Sequence, residues 1–116
     1  MKDKLNEIPV LYDFYGQLLT EKQRHYLELY YYYDLSLGEI SEESGTTRQA
    51  VYDIIKRSEH LLQSYEEKLQ LVQRFDNERK ALEEIIASLA RLKSSSASKE
   101  EVIDFIEKSL KEFKQI

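Results

Sequence analysis

Three helix starts are written into a short central stretch of this chain. In "TEKQ" Thr20 is followed three residues later by Gln23, and in "SLGE" Ser36 is followed by Glu39. Each is a capping box. The hydroxyl of the first residue accepts from the backbone N–H of the fourth, whose side chain reaches back to the first residue's own N–H. In "SGTTRQ" Thr47 is placed to cap a further helix just behind Gly45, the residue that most readily takes the left-handed turn closing a helix. Helices whose ends are fixed this closely must cross one another through short turns.

The rest of the chain agrees with an all-α fold. One proline and three glycines leave little room for hairpins, and the 34% of charged residues recur among leucines, isoleucines and tyrosines at helical spacing. Pro9 suits the first position of a helix running to Leu19, with Val10, Leu11, Phe14, Tyr15 and Leu18 as its apolar stripe. The next helices run from Thr20 to Tyr33 and from Ser36 to Ser44. Another begins at Arg48, after the Thr47 cap. From Ser58 the pattern continues as one long helix, kinked near Asp76-Asn77, or as two helices joined there. "SSSAS", Ser94 to Ser98, reads as a linker. Ser98 with Glu101 then caps a closing helix. The organisation expected is a head over residues 1–62 and a helical tail over 63–116, the linker at 94–98 preceding the closing helix.

Leu37 to Lys56 fits a helix-turn-helix. Ile40 and Ser41 supply the apolar and small residues where the two helices cross, Gly45 the turn, and Val51, Ile54 and Ile55 the inner side of the second helix. Left exposed are Thr47, Arg48, Gln49, Tyr52, Asp53 and Lys56, the positions that reach base edges when such a helix enters a major groove. The planar forks of Arg48 and Gln49 match guanine and adenine edges. Thr20, Ser36 and Arg57 are candidates for phosphate contacts, which set register without reading sequence.

The stretch "LTEKQRHYLELYYYYDLSLGEISEESGTTRQAVYDIIKRSE" resembles region 4 of the sigma-70 family, through "LTEKQR", "LSLGEI" and "TRQAVYDIIKR". It departs from that pattern at Tyr30 and Thr46. With "LYDFYGQLLTEKQ", the tyrosine run and the helical tail, the chain is similar to the YlxM family of small bacterial proteins. The resemblance implies a sigma-region-4-like helix-turn-helix bundle with a long helical extension. It also implies a DNA-binding regulatory role tied to the signal recognition particle pathway.

Charge qualifies the expectation. The whole chain carries a formal −5, and from Thr20 to Leu62 five basic side chains stand against eight acidic ones, a balance of −3. Duplex affinity rests largely on neutralising phosphates. The alternative is therefore a protein adaptor whose head docks a partner, such as a signal recognition particle component or RNA polymerase. "YYYY", Tyr30 to Tyr33, points four ways around a helix, so at least two of these rings are expected in the core.

No enzyme is expected. The adjacent glutamates diverge around their helices, and neither a phosphate-cradling loop nor a nucleophile motif occurs. His25 and His60 have no metal-ligand spacing, so no metal and no cofactor are expected. Absent cysteines, a start unlike a signal peptide and no membrane-length apolar run point to the cytoplasm and away from membranes. The apolar stripe of the tail exceeds what a small head covers, and a homodimer through the C-terminal helices is the expected use, a helix-groove for a protein partner being the rival one.

Overall fold

The structure, a computed structural model, describes residues 2–94 and 98–114, with side chains over 7–93 and 98–113. Those residues form six α-helices and one 3-10 turn, and contain no strand. The helices are α1 (Lys2–Tyr15), α2 (Glu21–Tyr31), α3 (Leu37–Ser44), α4 (Arg48–Leu69), α5 (Leu71–Ser94) and α6 (Lys99–Lys114); the 3-10 turn is Gly16–Leu18. The fold is all-α, and the chain divides into two compact units, residues 1–72 and 73–116.

In the first unit α4 is the hub, packed against α1, α2 and α3. Its buried stripe is Val51, Ile55, Ser58 and Leu62, at steps of four, three and four, the spacing that keeps one helical face inward. Ile8, Leu11, Tyr15, Leu19, Tyr26, Leu27, Leu29 and Ile40 complete the core. Ser58 is fully buried and harmless there because its Oγ donates to the Ile54 carbonyl at 2.7 Å.

The starts of α2, α3 and α4 are those written in the sequence. Thr20 and Ser36 make full capping boxes, and the Thr47 hydroxyl accepts from Ala50 N–H at 3.0 Å. Gly45 takes φ +69°, so the turn between α3 and α4 uses the freedom only glycine has without strain.

Three details differ from expectation. Helix α1 does not begin at Pro9 but carries it inside, and its buried side is Ile8 with Leu11 and Tyr15, the last two being the part of the expected stripe that packs inward. Val10, Phe14 and Leu18 are exposed. The burial of Ile8, one residue ahead of the proline, explains the extension: the apolar face already exists there, and it outweighs the missing hydrogen bond. The long C-terminal helix breaks at Gln70, φ +52°, and not near Asp76-Asn77. The expected linker has Ser94 closing α5 and Ser98 before α6, while 95–97 lie outside the described residues. Of the expected Ser98 cap, the Val102 N–H to Ser98 carbonyl bond is present at 3.2 Å.

The second unit repeats the α4 pattern twice. Ala81, Ile85, Ser88 and Leu92 on α5, and Val102, Ile106, Ser109 and Phe113 on α6, are its sheltered positions, again at steps of four, three and four. Ser88 and Ser109 are buried and bond the carbonyls of Glu84 and Phe105, as Ser58 does in the head. A serine in this place keeps the stripe narrow at mid-length and brings its own hydrogen-bond partner. Beside these stripes, Phe75, Leu82, Ile86 and Leu89 on α5, and Ile103 and Leu110 on α6, remain exposed.

Candidate nucleic-acid interface

Because α4 buries Val51, Ile55, Ser58 and Leu62, its opposite side must face out. Thr47, Arg48, Gln49, Tyr52 and Asp53 are all exposed along it. Within this row the side chains are already paired. Gln49 Nε2 donates to Asp53 Oδ1 at 2.8 Å, one helical turn on. The carboxylate that would repel a phosphate thus holds the amide expected at a base edge. Lys56, expected in the exposed row, is instead half-buried: its ammonium lies 3.4 Å from Glu59 Oε1 and 5.6 Å from the centre of the Tyr52 ring. The reason is Glu59 itself, a carboxylate only 2% exposed, which draws the nearest cation inward.

Arg48 also departs from a simple outward pose. Its Nε, Nη2 and Cζ stand 3.0, 3.0 and 3.1 Å from where a Cβ on Gly38 would be. Gly38 is on the first turn of α3, so its lack of a side chain is what lets the guanidinium lie across that helix. Ser36, the N-cap of the same helix, is exposed, and its hydroxyl accepts from Glu39 N–H at 3.1 Å. Arg48 thus lies against Gly38 on the first turn of α3, the turn that Ser36 caps. Thr20 caps α2 and is exposed; Arg57 is exposed further along α4.

The helix-turn-helix geometry now has a counterpart among known proteins. A family model described as "Putative helix-turn-helix protein, YlxM / p13 like", UPF0122, matches residues 2–113. The chain belongs to the UPF0122 family. The UPF0122 protein of Shouchella clausii is 47% identical over 108 residues, covering 93% of this chain and 98% of its own. That of Desulforamulus reducens is 51% identical over 94 residues, covering 81% and 80%. The protein of Oceanobacillus iheyensis reaches 56% over 85 residues, 73% of this chain and 81% of its own. The UPF0122 match spans α1 to α6, so head and tail are parts of one family unit.

Sequence reasoning missed the inward carboxylates of this UPF0122 chain. Tyr12 donates to Glu28, Tyr15 to Glu66 at 2.5 Å, and Tyr31 to Glu59 at 2.5 Å, tying α1 to α2, α1 to α4 and α2 to α4. The balance of −3 still stands against a duplex, since a carboxylate that accepts from a tyrosine or closes a capping box keeps its charge; what these contacts fix is where Glu28, Glu39 and Glu59 are held. Tyr30 and Tyr31 pack on the core, edge to face at 5.1 Å, while Tyr32 and Tyr33 are exposed. The signal available in the sequence was the unusual number of tyrosines beside glutamates on helical faces. It could not say which pairs meet.

Burial first and the Glu28 carboxylate second push the Tyr12 hydroxyl up to about 12; burial, then their glutamates, raise Tyr15 and Tyr31 as well. A folded-state value above the unfolded one favours the fold below the unfolded value of about 10, and that contribution fades as pH rises through the folded value. Melting temperature is thus expected to hold up to about pH 10 and fall between about 10 and 12, less steeply in Tyr12→Phe. Thermal melts across that range check it; a Tyr12→Phe profile parallel to wild type contradicts it.

Among the described residues, no group of three or more histidines, aspartates or glutamates is placed to hold a metal, and no helix is long and apolar enough to cross a membrane.

Proposed function

We propose that the head binds duplex DNA through the outer face of α4 and acts as a regulatory protein in the cytoplasm. The observation that carries this reading is the division of α4, with one face sealed in the core and the opposite face, from Thr47 to Asp53, presented to solvent. Thr47, Arg48, Gln49 and Tyr52 meet base edges. Lys56 supports Tyr52 from below, and Thr20, Ser36 and Arg57 touch phosphates. Two heads act together, joined through the C-terminal helices. The exposed row Phe75, Leu82, Ile86 and Leu89 supports that pairing, because a second copy would take it out of water. Resemblance to the YlxM family supports a role in the signal recognition particle pathway.

The test is a gel-shift competition between selected and random duplexes. Arg48→Ala with Gln49→Ala is expected to erase preference between sites, since each bidentate base contact discriminates by about 1–3 kcal/mol. Unchanged preference removes these residues from base reading. The same titration is expected to show two chains per duplex; one chain per duplex overturns the paired arrangement.

A second reading is favoured by Val10, Phe14 and Leu18, an exposed apolar line at steps of four on the first helix and the turn after it. It would serve a protein adaptor. Salt separates the two, because phosphate-driven binding weakens steeply with added salt and apolar docking hardly changes.

A further inference from the structure

The outer face of α4 continues past the row expected to read bases. Gln49, Asp53, Lys56, His60 and Ser64 follow at steps of four, three, four and four, so they share one side of the helix. Along the later half of that line, Asp53, Lys56, Arg57, His60, Leu61 and Ser64 border a shallow groove. Two of its charges already have internal partners. Lys56 faces the buried Glu59, and Asp53 accepts the Gln49 amide. The groove's remaining donors are the exposed Arg57 and His60 and the half-buried Ser64 hydroxyl.

We propose that this groove is a phosphodiester site, with Arg57, His60 and Ser64 holding the backbone of a nucleic-acid strand. The proposal rests on the reading of α4 as a duplex-binding helix and extends it to residues beyond the base-facing row. Length decides where the strand passes. At roughly 1.5 Å of rise per residue, His60 lies about 16 Å and Ser64 about 22 Å beyond Gln49 along the axis. The major groove is only about 12 Å wide. With Gln49 at the base edges and the axis of α4 directed out across the groove from its N-terminal end, the second half of α4 clears that width and lies over the sugar–phosphate wall.

The chemistry matches that place. A guanidinium gives a charged, forked donor set to phosphate oxygens, and an imidazole and a hydroxyl add single donors that do not discriminate between bases. Asp53 borders the other end, so the phosphate sits toward Ser64, away from that carboxylate. Leu61, half-buried, gives the groove an apolar wall and adds no competing acceptor. A carboxylate-rich peptide would meet the same donors, and the experiment includes it.

The full chain is titrated by fluorescence anisotropy against a labelled random-sequence duplex, and against polyglutamate, over a range of salt. Wild type is compared with Arg57→Ala, Arg57→Lys and the pair His60→Ala/Ser64→Ala. Arg57→Ala is expected to lower the slope of log affinity against log salt by about one, and Arg57→Lys to restore it. The His60/Ser64 pair is expected to weaken binding about three- to tenfold while preference between sites stays as in wild type. If all three variants match wild type while Arg48→Ala/Gln49→Ala weakens binding, α4 still reads DNA but the strand does not cross this groove. If wild type binds no duplex at the lowest salt, both readings fall. Polyglutamate bound more tightly than duplex, with loss in Arg57→Ala, assigns the groove to carboxylates and overturns the proposal.

Discussion

Lys56→Ala is expected to destabilise the protein by roughly 2–4 kcal/mol, several times what a surface lysine contributes. The reason is the residue three positions on. Glu59 is 2% exposed; its Oε2 accepts from the Tyr31 hydroxyl, while Oε1 has no hydrogen bond and faces the Lys56 ammonium at 3.4 Å. Removing the lysine leaves a buried carboxylate with one oxygen uncompensated, and that penalty exceeds the modest value of the pair itself. Water entering where the lysine stem lay moderates the loss, which places the expectation below the upper end for buried pairs.

Chemical denaturation of wild type, Lys56→Ala and Lys56→Ala/Glu59→Gln measures the effect. The double variant is expected to recover most of the loss, because the amide keeps an acceptor for Tyr31 and needs no counter-charge. A Lys56→Ala midpoint within error of wild type would show that Glu59 does not depend on this lysine. The result also bears on DNA binding. A lysine that must stay with Glu59 cannot leave for a phosphate without exposing the same penalty, so Lys56 steadies Tyr52 rather than competing for the duplex.

Tyr15→Phe removes a single oxygen and is expected to lower stability by about 2–3 kcal/mol. Tyr15 is 1% exposed, and its hydroxyl works in two directions. It donates to Glu66 Oε1 and accepts from the Leu71 N–H at 3.0 Å, while the same Glu66 oxygen accepts from the Val72 N–H at 3.1 Å. These are first-turn N–H groups of α5, which has to begin without a serine or threonine cap. Phenylalanine fills the same space but leaves the Leu71 N–H without this acceptor and Glu66 without this donor. Denaturation gives the global loss, and hydrogen exchange at Leu71 and Val72 is expected to quicken more than at Val51. Uniform change across these amides would mean that Tyr15 does not cap α5.

This junction shows where the sequence stopped being readable. Local signals mark a helix end well when both partners lie within four residues: Thr20 with Gln23, Ser36 with Glu39, Thr47 with Ala50, and Gly45 after Ser44. Those boundaries, and the outward face of α4 with its candidate site, were legible from residue types and spacing. The break at Gln70 was not, because its stabilising partner is a tyrosine 56 positions away from Leu71. Pro9 likewise looked like a start until the burial of Ile8 showed a helix running through it. At the site, the sequence put Lys56 in the exposed row and gave no sign that Glu28 and Glu59 would be drawn into contacts between helices. The contact between α2 and α4 holds Glu59 inward through Tyr31, Glu59 then draws Lys56 in from its own helix, and the contact between α1 and α2 engages Glu28.

The sequence alone determined the class, the helix-turn-helix and which side of α4 is apolar, since capping and helical period act over one or two turns. The tertiary structure decided which charges stay outside, where α4 hands over to α5 and which tyrosines carry load. Those depend on desolvation and on hydrogen bonds between helices far apart in the chain, whose energies exist only once the helices have packed.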